Sequence, residues 1–338
     1  MLLEPQSTNL VTYSEDYTDV NTWAKGSVTL DSNDIISPDG TKNASKLIIS
    51  GGTPYLGNTK ILTAGNTYTV SCFVKKGTNR WIRLANITSG STGAWFDLEN
   101  NVVGNVNSIS ASIENYVNGW YRIQNTFIAQ SGSANTFLGL SDSDNQTSST
   151  QIGNTVYVWG FQVEESSYAT SYIPSLNGTP TTRLGETLTG AGSSDLINSE
   201  EGVLYAEVKA LADDGTVRMI IEVNDNSNNN RVSIFINSNN YLSAYVFNGT
   251  VQYNYSSNIN ALNFHKLAFK YKENNFSFFI DGIEVNANNS GTTFSPNTLN
   301  KLQFSDGVNG ANFYGKAKCV AVFKEALSDS ELECLTKI

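Results

Sequence analysis

The sequence predicts an all-β protein built as two tandem antiparallel β-sandwiches of the jelly-roll type, with one short C-terminal helix. Three observations predict this fold class. Helical periodicity is nearly absent, whereas short apolar runs alternate with polar residues and end at Gly, Asn or Asp. Only 15% of the residues are charged, so Asn, Ser, Thr and Gly must fill the turns and the surface. Tyr and Phe, at 16 residues each, supply an aromatic core and argue against disorder.

The first half of the chain carries a series of strand patterns. They lie at residues 46–50, 67–76, 81–87, 94–99, 120–129, 136–142 and 156–165. In the last of them, the two-residue repeat of a strand puts Tyr157, Trp159, Phe161 and Val163 on one face. Four large apolar side chains on one face predict a strand that packs against a second sheet.

The strand pattern breaks near the middle of the chain. Residues 175–200 are rich in Gly, Ser and Thr and almost free of aromatic residues, which is typical of a linker. We therefore predict a first domain over residues 1–180, a linker over 181–201 and a second domain over 202–338.

The second half combines further strand patterns with two strong local signals. The strand patterns lie at residues 202–211, 217–225, 230–248, 264–285, 301–306 and 314–324. Asp281-Gly282 lies between two apolar runs and predicts a two-residue hairpin turn. Ser328, followed three residues later by Glu331, predicts a capping box at the start of the C-terminal helix.

The overall charge restricts the partners. A net charge of −10 and a pI near 4.7 make a surface that repels phosphate backbones, so we expect no nucleic-acid partner. No apolar run approaches the ~18 residues of a membrane span, so we expect no membrane insertion. The first residues, MLLEPQSTNL, lack the basic region and the apolar run of a secretion signal.

The three cysteines do not predict a disulfide framework, because their number is odd and their spacing is wide. Cys72 and Cys319 fall within strand patterns, where we expect them to be small buried hydrophobic residues. A bridge between Cys319 and Cys334 stays open as an alternative. This small number of widely spaced cysteines favours folding in a reducing cytoplasm.

The residues give no catalytic set, so the prediction is a protein that is not an enzyme. His265 is the single histidine, and no G-x-S-x-G elbow accompanies it. Glu164 and Glu165 are adjacent in a strand, so they point to opposite faces and cannot act as a convergent acid pair. A polysaccharide lyase that works through Tyr, Lys or Arg stays open, although no motif supports it.

One loop predicts a candidate calcium site. Residues 140–149 offer Asp142 and Asp144 among further oxygen donors, but they lack the Gly and the final Glu of an EF-hand loop. A solvated turn explains the same composition. We therefore expect that no cofactor is required and keep a structural calcium at this loop as a candidate.

Exposed aromatic rings would be the contacts for a sugar. In the first domain Trp23 is the candidate. In the second domain, alternation places Tyr241 and Tyr245 on one face of a strand, and Tyr253 and Tyr255 on one face of the next strand. This Tyr- and Asn-rich hairpin is the best candidate for a glycan or protein contact. Tyrosines that pack at the edge of a sandwich would give the same pattern.

Seven segments of the first 190 residues, in order, resemble the sandwich module of phage tail and fibre proteins, which also occurs among carbohydrate-binding domains. The segments are LLEPQSTNLVTYSEDY, SPDGTKNASKL, TYTVSCFVKKGTNRWIRL, AWFDLENNVVG, NGWYRI, VYVWGFQVEESSYATSYIP and TPTTR. The resemblance implies a β-sandwich with a binding or structural role.

Residues 202–338 resemble a laminin-G or concanavalin-A-like lectin domain. The resemblance is carried by FHKLAFKY, by FSFFIDGIEV and by the ending FYGKAKCVAVFKEALSDSELECLT, in which a last core strand leads through a turn to a helix. It implies two packed antiparallel sheets, and this fold by itself specifies no function.

Together, the two resemblances imply a non-enzymatic virion protein of a tailed bacteriophage: a tail fibre, head fibre, spike or decoration component. Its expected partners are other virion proteins, host surface polysaccharide and further copies of itself, with a trimer favoured. Its expected location is the virion, assembled in the host cytoplasm. A pair of carbohydrate-binding modules from a bacterial glycan-degrading system is the alternative hypothesis. A polysaccharide lyase or hydrolase is the third hypothesis.

Overall fold

The computed structural model describes residues 1–87, 91–130, 133–188 and 190–338. The chain divides into two compact units. Gln6–Leu184 form the first, called here the N-terminal sandwich, and Met1–Pro5 together with Gly185–Ile338 form the second, called the C-terminal sandwich. The predicted all-β class is confirmed, because antiparallel sheets make up both units and a short helix closes the chain.

Strands occupy most of the described chain. In chain order they are β1 (Leu2–Leu3), β2 (Ser7–Asn9), β3 (Trp23–Gly26), β4 (Val28–Ile35), β5 (Ala44–Ile49), β6 (Tyr55–Ile61), β7 (Thr67–Lys76), β8 (Trp81–Ile87), β9 (Ser91–Asp97), β10 (Val102–Val106), β11 (Ser110–Asn115), β12 (Trp120–Ile128), β13 (Ser133–Ser141), β14 (Thr155–Glu164), β15 (Thr181–Arg183), β16 (Glu201–Ala210), β17 (Arg218–Asn224), β18 (Asn230–Ile236), β19 (Tyr241–Asn248), β20 (Val251–Asn260), β21 (His265–Lys272), β22 (Phe276–Ile280), β23 (Ile283–Asn288), β24 (Lys301–Gln303) and β25 (Gly315–Phe323). The α-helix α1 spans Asp329–Thr336.

Two six-stranded sheets form the N-terminal sandwich. The front sheet has the order β10-β9-β8-β13-β6-β3, the back sheet has the order β11-β12-β7-β14-β5-β4, and β15 pairs with β2 in a separate ribbon. One apolar core lies between the sheets, with Leu56, Leu84 and Phe96 from the front and Val70 and Val158 from the back. All five are essentially inaccessible to solvent, so the core side of each sheet is well defined.

A β-bulge at Gly160 overturns the predicted faces of strand β14. The register of β14 against β7 shifts between Trp159 and Gln162, and Gly160 has a φ of +62°. The extra residue reverses the alternation, so Phe161 and Val163 face the core, whereas Trp159 lies on the outer face of the back sheet. The expectation that four large side chains share one face is therefore wrong.

The outer aromatic residues of the back sheet form a small second cluster. Trp159 packs beside Phe73, with ring centroids 5.3 Å apart, and beside Tyr172, with centroids 4.6 Å apart. Tyr172 belongs to the extended segment that follows β14. This segment therefore covers the outer face of the sheet, and the Trp159 side chain is only 4% exposed.

The C-terminal sandwich also has two sheets. The helix-bearing sheet has the order β1-β25-β16-β21-β22-β23, and the tyrosine sheet has the order β20-β19-β18-β17-β24. Helix α1 packs on the outer face of the helix-bearing sheet, where Leu332 meets Val203, Tyr205, Ala268 and Phe279. Among the described residues, no helix is long and apolar enough to span a membrane.

The first residues of the chain differ from the predicted domain limits. Leu2 and Leu3 pair with Lys316 and Gly315 at the edge of the helix-bearing sheet, and Leu3 joins the core of the C-terminal sandwich. Strand pairing between residues more than 300 positions apart is not visible in local sequence patterns. The predicted first domain, 1–180, therefore includes five residues that the structure assigns to the other unit.

Both local signals of the second half are confirmed. Asp281 and Gly282 have φ values of 52° and 82° and join β22 to β23, as expected of a two-residue hairpin turn. Ser328 caps helix α1, and its side chain and that of Glu331 make the reciprocal bonds of a capping box. These features depend on neighbouring residues alone, which explains why the sequence revealed them.

The cysteine expectations are met in part. All three thiols are free, and Cys72 is fully buried as predicted. Cys319 is exposed, so the prediction of a buried residue there is wrong. The register of β16 against β25 shifts at Lys318, which is an extra residue in β25. This shift leaves both Lys318 and Cys319 outside the core.

Replacing Gly160 with Ala should lower the free energy of unfolding of the N-terminal sandwich by about 1–2 kcal/mol, the usual cost of a left-handed backbone conformation for a residue with a Cβ. The added Cβ would also lie 3.1 Å from Phe73 and 3.2 Å from Tyr172. All five tryptophans lie between residues 23 and 159, so urea unfolding followed by tryptophan fluorescence reports this unit alone.

Gly52→Ala is the matched control, because its Cβ would meet nothing within 4 Å. Equal stability of the two alanine variants would contradict the role assigned to the bulge.

Candidate functional site

The outer face of the front sheet of the N-terminal sandwich contains a cleft of ≈ 410 Å³. It runs over the central strands β6, β13 and β8. Its lining is Thr53, Pro54, Tyr55, Arg83, Ile87, Asn135, Phe137, Gly139, Leu140, Ser141, Gln146 and Thr147. The cleft faces away from the core, because the residues that alternate with its lining, such as Leu56 and Leu138, belong to the apolar core.

A glycine makes the floor of the cleft. Gly139 is the direct cross-strand partner of both Tyr55 and Arg83. No side chain therefore fills the space between β6 and β8, which is about 10 Å wide because it spans two strand spacings. Phe137 rises at one end, and its own cross-strand partners, Gly57 and Ala85, are also small.

Tyr55 forms one side of the cleft. It pairs with Gly26 of β3, and a Cβ at Gly26 would lie only 2.1 Å from Cε1 of Tyr55. The ring therefore lies against the glycine, at a position where a larger residue would clash with it. Tyr55 is half-buried, and the Phe137 ring lies at a steep angle to it, with ring centroids 6.1 Å apart.

Arg83 forms the opposite side of the cleft. Its guanidinium carbon lies 4.7 Å from the ring centroid of Trp95 and 5.4 Å from that of Phe137, within the range of cation–π contacts. The side chain is only 5% exposed, and burial lowers the pKa of its guanidinium below the ordinary value. Two rings thus hold Arg83 in a fixed position in the cleft wall.

A loop after β13 completes the rim. Nε1 of Trp95 donates a hydrogen bond of 2.5 Å to the backbone oxygen of Gln146. Asp142 fastens the end of this loop, because its carboxylate accepts bonds from the Ser149 hydroxyl (2.5 Å) and from the backbone N–H (2.8 Å) and hydroxyl (2.7 Å) of Thr150. Although partial burial acts in the opposite direction, these bonds lower the pKa of Asp142.

The candidate calcium residues have separate contacts. Asp142 holds Ser149 and Thr150, whereas Oδ1 of Asp144 accepts a 2.8 Å bond from the backbone N–H of Asn105. No group of three or more His, Cys, Asp or Glu side chains arranged for a metal occurs in the described part of the chain. The structure gives both carboxylates a loop-holding role, and calcium at this loop stays a prediction.

Two of the predicted sugar contacts are wrong because their rings are buried. Trp23 is 1% exposed, lies edge-on to Tyr17 at 4.8 Å and to Phe161 at 5.2 Å, and donates its Nε1–H to the Tyr13 carbonyl. Tyr253 is 2% exposed and packs 4.8 Å from Phe269 within the C-terminal core. Neither ring has a face open to a ligand.

The remaining tyrosines do not form one surface. Tyr241 and Tyr245 point outward from β19, opposite to its core residues, and both are half-buried. Tyr255 pairs with Ala244, a core residue, and packs against the core side. The tyrosine pairs of β19 and β20 therefore lie on opposite faces of the tyrosine sheet.

Tyr245 itself is partly covered. The guanidinium carbon of Arg231 lies 5.1 Å from its ring centroid, and the Phe247 ring stacks nearly parallel to it at 6.2 Å. These contacts occupy part of the space around the Tyr245 ring. The cleft adds a recessed floor to its aromatic ring, so it is the stronger candidate for stacking.

His265 has a structural position. Its Nδ1 lies 2.5 Å from Oδ2 of Asp281, and its Nε2 lies 3.0 Å from the backbone oxygen of Asn260. The ring therefore ties the turn between β22 and β23 to the end of β20.

A buried carboxyl lies on the tyrosine sheet, two strands away from Tyr245. Glu222 is fully buried and accepts hydrogen bonds from Asn224 Nδ2 (2.8 Å) and Ser233 Oγ (2.7 Å). Burial raises its pKa to about 7, although these two bonds and the charge of Arg231 act in the opposite direction. At neutral pH the group is therefore part-protonated in the folded chain.

The sequence did not predict that Tyr55, Arg83 and Phe137 belong to the candidate site. Their strands carry a usable signal, because Gly57 and Gly139 interrupt apolar strands, where a glycine often marks the close approach of a ligand or another backbone. The position of Arg83 between two rings depends on cross-strand register, which no local pattern shows.

Residues 191–333 match a laminin G family model whose description is the concanavalin A-like lectin/glucanases superfamily. The match lies in the C-terminal sandwich. It agrees with the resemblance seen in the sequence of the second half. A search of the curated proteins found no match.

Several solved structures resemble the chain in part. The CBM40 domain of the Ruminococcus gnavus IT-sialidase is 14% identical, covers 45% of this chain and 96% of its own, and has a TM-score of 0.37. A putative carbohydrate binding protein from Bacteroides ovatus is 12% identical, covers 82% of both chains and has a TM-score of 0.34. Mouse laminin α1 domains LG4-5 are 10% identical, cover 81% of this chain and 89% of their own, and have a TM-score of 0.29. With TM-scores below 0.5, these neighbours add no argument about function.

Glu222→Gln should stabilise the C-terminal sandwich at high pH and change little at low pH. The unfolded chain loses this proton near its ordinary pKa of 4.5, whereas the folded chain keeps it to about 7. Ionisation therefore costs no stability below both values, and the cost grows between them to about 3 kcal/mol. Gln keeps the shape and can bond to both Asn224 and Ser233.

Hydrogen exchange of residues 217–236 measures this effect. The rates of the variant and the parent are compared at each pH from 5 to 8. Glu333→Gln on the exposed side of helix α1 is the control. A stabilisation that does not grow with pH would contradict the assignment.

Proposed function

We propose that the protein is a non-enzymatic glycan-binding protein and that the cleft of the N-terminal sandwich takes the saccharide. The observation that carries the proposal is the glycine floor between the half-buried Tyr55 and Arg83, which is held by two rings. The cleft volume of ≈ 410 Å³ lies within the range of small-molecule sites. The match of the second half to a lectin superfamily model supports the same class of ligand.

The chemistry of the lining suits a sugar. A pyranose ring presents apolar C–H groups on its faces, which stack on the outer face of Tyr55, and hydroxyls at its rim, which need polar partners. The amides of Asn135 and Gln146 and the hydroxyl of Thr147 line the same cleft. Stacking in the middle and hydrogen bonds at the edge is the combination that a saccharide requires.

The lining favours binding over catalysis. Among the described residues that line the cleft, none is a carboxylate, a histidine or a cysteine. Glycoside hydrolysis needs two convergent carboxylates, and acyl transfer needs an activated nucleophile. The cleft supplies neither set.

For the biological setting, we propose a virion structural or adhesion protein of a tailed bacteriophage, a fibre, spike or decoration component that contacts host surface polysaccharide. The resemblance of residues 1–190 to phage tail and fibre modules supports this setting, and the acidic charge agrees with it. Its partners would be other virion proteins and further copies of the chain, with a trimer favoured. Mass spectrometry of purified particles tests the setting, because a true component appears in stoichiometric amount.

A pair of carbohydrate-binding modules from a bacterial glycan-degrading system is the second candidate. The lectin superfamily match of residues 191–333 favours it equally. A chain found only with secreted hydrolases and never in particles would favour this candidate and contradict the virion setting.

Tyr55→Ala and Gly139→Leu should each weaken glycan binding on an array by about tenfold, the equivalent of one stacking contact. The first removes the platform. The second adds a side chain to the floor, where a Cβ has ordinary contacts, the nearest being Phe137 at 3.6 Å. Unchanged tryptophan fluorescence would verify the fold.

Tyr245→Ala is the matched control, since it removes a half-buried outward tyrosine from the other unit. Loss of binding in this variant, together with full binding in Tyr55→Ala, would move the site to the tyrosine sheet.

A bound polysaccharide should keep its chain length. Because the cleft has no acid–base pair, prolonged incubation should leave the size-exclusion profile and the number of reducing ends of the polymer unchanged. A lyase would also create an unsaturated product that absorbs in the ultraviolet. If the polymer is still shortened after the protein has been repurified, the non-enzymatic assignment is contradicted.

A further inference from the structure

One end of the helix-bearing sheet is left open on its outer face. Helix α1 covers Val203, Tyr205 and Ala268 at the other end. Past Glu207 in β16 and past its partner Cys319 in β25, Lys209 is half-buried, and Lys316 and Lys318 are exposed. The side chains that these strands present there differ strongly from the rest of this acidic chain.

Lysines dominate the uncovered end. Lys209 of β16 is the direct cross-strand partner of Lys316 of β25, and Lys266 of β21 is the partner of Glu207. The register shift opposite Lys318 adds that residue to the same side. We call Lys209, Lys266, Lys316 and Lys318, together with Phe264, the lysine face.

Phe264 lies among these amino groups. Nζ of Lys318 is 4.3 Å from the ring centroid, and Nζ of Lys209 is 5.5 Å from it. Both distances are within the range of cation–π attraction, which holds the ammonium groups beside a half-buried ring. The lysine face is therefore an aromatic surface edged by positive charge.

The charges of the lysine face are only partly balanced. Lys318 pairs with Glu207 at 2.8 Å, and Nζ of Lys266 donates to the backbone oxygen of Lys337. No carboxylate of the described residues lies within 4.0 Å of the amino group of Lys209 or of Lys316. Like charges directly opposite each other in a sheet are destabilising, and here they occur in a chain of net charge −10.

We propose that the lysine face binds carboxylate or sulfate groups of an acidic polysaccharide. An anionic group between Lys209 and Lys316 relieves the like-charge repulsion, and the Phe264 ring offers an apolar surface to the attached sugar. The lysine face has four lysines, one of them paired with Glu207, and this is fewer than the about 6–10 phosphate contacts of a typical nucleic-acid-binding protein. The inference rests on the proposed glycan-binding function but uses a site separate from the cleft.

The test compares the full chain with Lys209→Gln/Lys316→Gln in binding to immobilised polygalacturonate at low salt. Gln keeps part of the aliphatic stem, and no ion pair of the described residues is lost. We expect binding to weaken about tenfold, from the loss of one half-buried and one exposed charge contact, and the melting temperature to stay the same or rise. Lys42→Gln/Lys324→Gln, which removes the same charge elsewhere, should bind like the parent.

Three further results would overturn the inference. They are equal binding by both double variants, equal binding of the parent to polygalacturonate and to its carboxyl-reduced form, and tighter binding to a single-stranded oligonucleotide than to polygalacturonate. Tyr55→Ala separates the two hypotheses. If only the cleft hypothesis is wrong, polygalacturonate still binds through the lysine face. If only the lysine-face hypothesis is wrong, the saccharide that binds in the cleft still binds there.

Discussion

Whether a strand side chain faces the core or the solvent is decided by the pleat, and one extra residue reverses that decision for everything that follows. The bulge at Gly160 turns Phe161 and Val163 inward and leaves Trp159 outside. The shift opposite Lys318 turns that lysine and Cys319 outward. The proposed lysine face and the aromatic cover of the back sheet both depend on such single-residue shifts.

The bulge at Gly160 also explains the acidic end of strand β14. After the reversal, Glu164 is fully buried on the outer side of the back sheet. Its carboxylate accepts bonds from Ser7 Oγ (2.6 Å), Gln162 Nε2 (2.6 Å), and the N–H (3.0 Å) and hydroxyl (2.5 Å) of Thr170. Four donors thus satisfy the buried carboxyl group of Glu164. Glu164 therefore fastens the segment after the strand and is not available for chemistry.

The sequence predicted what depends on near neighbours. The fold class, the Asp281-Gly282 turn and the Ser328 cap all follow from residues within a few positions of one another, and the structure confirms them. The predicted faces of β14 were wrong, because a bulge depends on a partner strand far away in the chain. For the same reason, the sequence did not predict the cleft. Tyr55 and Arg83 are brought together only by Gly139, the cross-strand partner of both. Tyr253 and Tyr255 share one face of β20 as predicted, but that face is the core side.

The two proposed glycan contacts work through different physics, and this difference bears on how each could select a ligand. In the cleft, Arg83 is 5% exposed and held between two rings, so shape and stacking decide what fits. On the lysine face, Lys316 and Lys318 are exposed, so their attraction is screened by salt and tolerates many arrangements of charge. The cleft is thus suited to recognise one saccharide unit. The lysine face is suited to retain an acidic polysaccharide near it, which adds residence time more than specificity.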